Sequence, residues 1–290
     1  MNAILPNDIL PTKVDPSDDE AVLALFESLA LSAGRAIMDI FEAGFAHETK
    51  ADASPVTEAD RAAERVILEG LRIALAGVTC VAEEEIAAGV MPVLKGDAIL
   101  LIDPLDGTKE FINRQKDFTV NIALVRKGTP EIGVVYAPAR GLLYSGRPGE
   151  ATEVSITPDF MPAARRKISV RSVAEPLTIV ASRSHRTLET DKFIARFEGA
   201  DIVSVGSSLK FCLLASGEAD LYPRFGRTME WDTAAGDAVL RGAGGRTMLI
   251  EGGPLRYGKR GQHDEADFSN PWFIADTSPA AVDQNSHSGE

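Results

Sequence analysis

A short apolar run, Ala98–Ile102, breaks off into Asp103-Pro-Leu-Asp106-Gly-Thr108. A run of that length, bounded by turn formers, reads as a buried strand. Pro104 fixes φ and Gly107 admits backbone angles closed to other residues, so the turn after the strand is tight and stiff. A stiff turn at a strand end can aim two carboxylates and a backbone carbonyl at one point. Oxygen ligands of that kind hold hard divalent cations such as Mg²⁺. Asp-Pro and Asp-Gly are also ordinary turn formers, so the other acidic segments decide between the two readings.

The chain has 290 residues, 44% of them hydrophobic and 25% charged. That is enough for one large domain or two closely packed halves. A formal charge of -13 argues against a nucleic acid polymer as partner, since that partner needs a basic face. A small anionic substrate is admitted if metal ions and a few local cations neutralise it. No apolar run approaches the length of a membrane span and no signal sequence follows Met1, so a cytoplasmic protein without a transmembrane segment is expected. Cys80 and Cys212 lie in apolar surroundings without paired spacing, which favours reduced thiols over a disulfide or zinc site.

In chain order, residues 1–17 read as a loose arm. Asp18-Asp19-Glu20 opens a long helix with its apolar stripe at Val22, Leu25, Phe26, Leu29, Ala33, Ile37 and Phe41. A polar loop leads to Thr57-Glu-Ala-Asp60, which has the form of a capping box at the start of a second helix ending near residue 76. Asp60 serves as a cap, as a proton acceptor facing the metal site, or as both. A strand over 78–82 runs into Glu83-Glu84-Glu85. Residues 118–147 alternate strands with turn signals, the pattern of an antiparallel meander. Residues 150–175 read as irregular with one strand near Ile168. Beyond them, strands at 177–181, 201–205, 219–222 and 246–250 alternate with helices at 188–197, 207–216 and 231–241. The expected organisation is a layered α/β (α+β) fold. Its N-terminal half spans 18–165, its C-terminal α/β half 166–275, and a disordered tail 276–290.

The third acidic segment is Trp231-Asp232-Thr-Ala-Ala-Gly236, where small residues let a helix start pack close to another backbone. Asp232 is either an N-cap or a metal ligand. Glu83, Asp103, Asp106 and Asp232 all fall at strand ends or helix starts. Brought together without cations, they would repel and raise one another's pKa values. With magnesium ions roughly 3.5–4 Å apart, they would form a site able to hold both the attacking water and the leaving oxygen of a phosphate ester.

Glu83-Glu84, Asp103-Pro-Leu-Asp106-Gly-Thr108 and Trp231-Asp232-Thr-Ala-Ala-Gly236 together resemble the inositol monophosphatase superfamily, over about residues 20–273. The resemblance implies an α/β/α/β sandwich of the sugar-phosphatase type. Gly107-Thr-Lys-Glu-Phe111, Ser182-Arg-Ser-His185, Gly206-Ser-Ser-Leu-Lys-Phe-Cys212 and Leu221-Tyr-Pro-Arg-Phe-Gly226 are closer to its 3'(2'),5'-bisphosphate nucleotidase branch. What this branch implies is a lithium-sensitive, Mg²⁺-dependent phosphomonoesterase that converts adenosine 3',5'-bisphosphate to AMP and accepts the sulfated nucleotide PAPS. Inositol monophosphate and fructose 1,6-bisphosphate are the alternative substrates on the same scaffold. The resemblance also leaves room for a homodimer and for peripheral contact with the inner face of the cell membrane.

By the same resemblance, two to three Mg²⁺ ions would be held by Glu83, Asp103, the Leu105 carbonyl, Asp106 and Asp232. Glu83 would also help activate water, which Thr108 and Asp60 would orient and deprotonate. The Gly107 and Thr108 N–H groups would cradle the scissile phosphate. Ser182, His185, Gly206, Ser207, Ser208, Lys210 and Arg224 would face the nucleotide. Simple N-capping for the two serines and a surface salt bridge for Arg224 stay open as ordinary alternatives. The run of three glutamates leaves a slip to Glu84 open; aligning Glu83-Glu84-Glu85-Ile-Ala-Ala-Gly89 with the family pattern selects Glu83.

Overall fold

The computed structural model describes residues 13–49, 55–183 and 186–277. The expected arm over 1–17 and tail over 276–290 therefore fall mostly outside the described residues, as does His185. Within them, α1 (Asp19–Ala43) is followed by the short strands β1 (His47–Thr49) and β2 (Pro55–Thr57) and by α2 (Glu58–Ala74). The chain continues through β3 (Thr79–Ala82), α3 (Glu83–Ala87), β4 (Ala98–Asp106) and α4 (Thr108–Ile112). A meander follows: β5 (Thr119–Arg126), β6 (Thr129–Ala137), β7 (Leu142–Arg147), β8 (Glu150–Ile156) and β9 (Pro162–Ile168). The second part holds β10 (Thr178–Ser182), α5 (Leu188–Ile194), β11 (Asp201–Val205), α6 (Leu209–Ala215), β12 (Leu221–Arg224), α7 (Ala234–Gly242), β13 (Arg246–Leu249) and β14 (Phe273–Asp276).

β3 to β9 form a seven-stranded sheet in sequence order, antiparallel except where β3 runs parallel to β4. A five-stranded mixed sheet has the order β11-β10-β12-β14-β13. Strand alternation divides the core. On β4, Leu100 and Ile102 face the helical layer of Phe26, Ile37, Ile67 and Leu71 from α1 and α2. Ile99 and Leu101 face the opposite core, shared with Phe211 of α6, Val239 of α7 and Phe273 of β14. The layers are thus α1/α2, the large sheet, α6/α7 and the small sheet, with α5 on the outer side through Ile194.

The small residues of α7 allow its close approach to the large sheet. A Cβ on Gly133 of β6 would lie 2.5 Å from the Ala235 carbonyl oxygen. By length and composition α1 meets the criterion for a membrane-crossing helix, which the sequence was not expected to supply. Its apolarity is accounted for by the core, in which Val22, Phe26, Ala30, Ala33 and Ile37 are fully buried.

Three sequence expectations are corrected. The strand expected near Ile168 is β9, but the stretch before it is not irregular: β8 and β9 pair across residues 150–168 and carry the large sheet past the expected boundary at 165, leaving only 169–175 outside regular structure. β9 is exposed at every position but its last and rich in arginine, so it lacks the apolar alternation that marks a strand. At the other end, Asp276 belongs to β14 rather than to a tail, paired with Leu221 and Arg246.

Candidate active site

β4 delivers Asp103 and Asp106 to the site. In a regular strand, side chains three residues apart face opposite sides. Here the pairing with β5 slips between Asp103, opposite Asn121, and Asp106, opposite Thr119. Such a bulge re-aims a side chain, and both carboxylates line one cavity of about 240 Å³ between the two sheets. The turn is fastened from within. Asp103 Oδ1 accepts the Leu105 N–H at 3.0 Å, and the Leu105 carbonyl accepts the Thr108 hydroxyl at 3.3 Å.

Glu83, the first residue of α3, and Asp232, just ahead of α7, line the same cavity. Glu84 instead lines a neighbouring cleft, so the side chain of the glutamate run that enters the acidic cavity is Glu83. Asp232 is not the N-cap of α7; that position is Thr233, without a side-chain cap bond. The Asp232 carboxylate is held by the Met229 N–H at 2.8 Å. Asp60 does cap α2, its Oδ2 accepting the N–H and the hydroxyl of Thr57, both at 2.7 Å. Its Oδ1 accepts the Thr108 hydroxyl at 3.1 Å, so the cap and the reach toward the site coexist.

The electrostatics are those of like charges kept from water. Burial first, then the charges of Glu83, Asp106 and Asp232, raise Asp103 well above the usual carboxylate range. Burial lifts Asp106 to about 6 against the pull of Lys210, and burial with the charges of Asp106 and Glu83 lifts Asp232 to about 8. A divalent cation would relieve this repulsion. Among the described residues no three His, Cys, Asp or Glu side chains already converge on one ion-sized point. The donor set is therefore not a closed all-protein cage. A hard divalent cation held here would complete its shell with waters and substrate oxygens.

The same cavity is also lined by cations. Lys210 is buried, its Nζ donates to the Ser207 carbonyl at 2.5 Å, and burial pulls it down to about 8. Arg224 is also buried rather than part of a surface salt bridge. It donates to the Arg227 carbonyl at 2.7 Å, and its Nε has no hydrogen-bond partner. Ser182 and Gly206 line the cavity as well.

Neither Ser207 nor Ser208 caps α6 with its side chain. The Ser207 hydroxyl lies 2.8 Å from the Asp106 carbonyl and 2.6 Å from that of Asp117, fastening the second half of the chain to the Asp-Gly turn. The Ser208 hydroxyl donates to the Asp232 carbonyl at 2.5 Å. Two participants escaped the sequence reading. Asn121 donates to Asp106 at 3.4 Å and to Ser208 at 3.1 Å, and a lone amide in the apolar run of β5 was the available signal. Asp117 is buried and ion-paired with Arg140 and Arg183; only the fold brings those three together.

Four carboxylates, that of Asp103 fully buried, share a cavity with the buried cations Lys210 and Arg224 and define the site of a protein that handles phosphate with divalent cations. Residues 18–283 match the Inositol monophosphatase family, and the chain belongs to it. It is 43% identical over 247 residues to the 3'(2'),5'-bisphosphate nucleotidase CysQ of Escherichia coli strain K12, a match covering 84% of this chain and 95% of that protein. The CysQ of Haemophilus influenzae is 30% identical over 85% of this chain and 89% of its own length. Among solved structures, CysQ from Bacteroides thetaiotaomicron, a bacterial member of the same family, superposes with a TM-score of 0.72 at 34% identity. That superposition covers 91% of this chain and 99% of the other.

Proposed function

We propose that this protein is a magnesium-dependent 3'(2'),5'-bisphosphate nucleotidase that hydrolyses adenosine 3',5'-bisphosphate to AMP and phosphate. One observation carries the reading: the four acidic residues from three distant segments line one cavity with Lys210 and Arg224. The relatives named above, called bisphosphate nucleotidases, support the choice of substrate.

Glu83, Asp103, the Leu105 carbonyl, Asp106 and Asp232 would hold two to three magnesium ions. When bound, magnesium supplies positive charge to the phosphate and acidity to the attacking water. The protein's own contribution is proton transfer and orientation. Because Thr108 donates to Asp60, its hydroxyl oxygen is left to accept from a water. As that water attacks phosphorus, its proton passes to Thr108 Oγ1 and the Thr108 proton passes to Asp60 Oδ1, while the bond between phosphorus and the ribose 3'-oxygen breaks and that oxygen leaves as the alcohol, taking a proton from solvent water. The Gly107 and Thr108 N–H groups cradle the scissile 3'-phosphate. Lys210 and the Arg224 guanidinium, which line the same cavity, receive the 5'-phosphate through charge-assisted bonds.

The test is phosphate release from purified protein with adenosine 3',5'-bisphosphate, PAPS, inositol monophosphate and fructose 1,6-bisphosphate, with and without Mg²⁺ and Li⁺. The reading expects turnover only with Mg²⁺, inhibition by Li⁺ and the highest kcat/KM for the bisphosphate. A higher kcat/KM for inositol monophosphate would overturn the substrate assignment.

A further inference from the structure

Helix α3 begins at Glu83 without a side-chain cap from its own N-terminus. Its N-cap is Ala82, which has no side chain able to accept a hydrogen bond, and no side-chain cap bond is made there. The first N–H groups of a helix need partners from elsewhere. One comes from α2: Glu64 Oε2 accepts the Glu84 N–H at 2.8 Å across 20 residues of sequence. Glu64 is 6% exposed, and it follows Asp60 by one helical turn on the same buried face. A single helix face thus fastens Thr108 through Asp60 and the start of α3 through Glu64. From this geometry we infer that Glu64 is a positioning residue for the metal site: it caps α3 from a distance and so sets Glu83 at the cavity wall.

The inference rests on the magnesium reading above. Glu64 lines the neighbouring cleft rather than the acidic cavity, so it acts on the ion through the backbone of α3. The carboxyl group of Glu64 is needed as a hydrogen-bond acceptor at fixed reach, not as a charge. Glu64→Gln keeps an acceptor oxygen at the same distance. Glu64→Ala removes it, and Glu64→Asp draws it back by one methylene.

The test is Mg²⁺ binding by titration calorimetry on the full chain, beside Mg²⁺-dependence of phosphate release and a melting curve for each variant. Outer partners of metal ligands typically contribute about 10–100-fold to affinity. Glu64→Ala is expected to weaken Mg²⁺ binding at least tenfold, Glu64→Asp to weaken it several-fold, and Glu64→Gln to stay near wild type. Raising Mg²⁺ is expected to restore most of kcat in the Ala variant. Wild-type Mg²⁺ affinity in folded Glu64→Ala would overturn the inference while leaving the metal reading standing. If the Ala variant does not fold, wild-type affinity in Glu64→Asp overturns it equally. Equal impairment of the Gln and Ala variants would also do so. Absence of Mg²⁺ binding in the wild type would overturn the metal reading itself.

Discussion

Thr108 donates its hydroxyl proton to Asp60 at 3.1 Å, across 48 residues of sequence, while the other oxygen of the same carboxylate caps α2. Cap and reaction thus share one side chain. In Asp60→Asn the amide still offers one acceptor oxygen but no longer takes a proton. We expect kcat to fall by about 10²–10⁴, the usual contribution of a positioned acid or base, with KM nearly unchanged. Stability is expected to fall by only about 0.5–2 kcal/mol, the scale of a lost cap. Steady-state kinetics and melting of the same preparation separate the two; a variant with full kcat contradicts the proton-acceptor role.

Asp103 is nearly inaccessible to solvent and stands among carboxylates that raise its pKa. Asp103→Asn preserves shape and removes one of the repelling charges. The metal-free variant should melt higher than the metal-free wild type, at roughly 2–4 °C per kcal/mol for a chain of this size, yet release no phosphate. Loss of activity with a lowered melting temperature would instead mark a residue needed only for folding.

The same repulsion sets a pH dependence. In the folded chain Asp106 is pushed up to about 6 and Asp232 to about 8, both from 3.8. Folded protein therefore keeps protons that the unfolded chain has already released. Their stabilising effect is complete below about pH 4 and is lost as pH rises through the folded values. Metal-free protein should lose melting temperature from pH 5 to pH 9. Saturating Mg²⁺, or the double variant Asp106→Asn/Asp232→Asn, should flatten the slope. A slope identical in all three samples would remove these carboxylates as its source.

Arg224 is buried with an unpartnered Nε. Arg224→Met should raise KM for adenosine 3',5'-bisphosphate about tenfold or more, as expected for a hydrogen bond to a charged group worth about 1.5–3 kcal/mol. Turnover of a substrate carrying one phosphate should change little. Equal losses on both substrates would place Arg224 at the scissile phosphate instead.

Much of this architecture was legible because its signals are local. The capping box of Thr57 and Asp60, the apolar stripe of α1, and the strand ending in Asp103-Pro-Leu-Asp106 each declare themselves within ten residues or so. Of β9 only the end near Ile168 was legible, because the rest is an exposed, arginine-rich edge that needs no apolar alternation. β14 stayed hidden because its partners, Leu221 and Arg246, lie far back in the chain. Within the site, the acidic residues could be named from their turns, but the roles of Ser207 and Ser208 could not. Their hydroxyls fasten carbonyls of other segments, and such partners exist only after folding. Glu64 was silent for the same reason: on α2 it is one acidic residue of several, until α3 is laid across it.

Gly107 shows how closely the two halves of the site are fitted. It has φ +93°, and a Cβ there would meet Ser207 Oγ at 2.4 Å and the Asp117 carbonyl at 3.0 Å. Gly107→Ala should both strain the turn and push the Ser207 segment away from Asp106. Activity should fall more steeply than stability, and raising Mg²⁺ should recover only part of it. A variant with wild-type kinetics would contradict the contact.

The central claim is that Glu83, Asp103, Asp106 and Asp232 act together on one magnesium-dependent phosphate site. Phosphate release from adenosine 3',5'-bisphosphate, followed as Mg²⁺ is titrated into wild-type protein and Asp232→Asn, tests it most directly. The account predicts a saturable rise from zero in the wild type, and in the variant a rate lowered by at least a hundredfold with a midpoint moved to higher Mg²⁺. Metal-independent turnover, or superimposable curves for the two proteins, would contradict it.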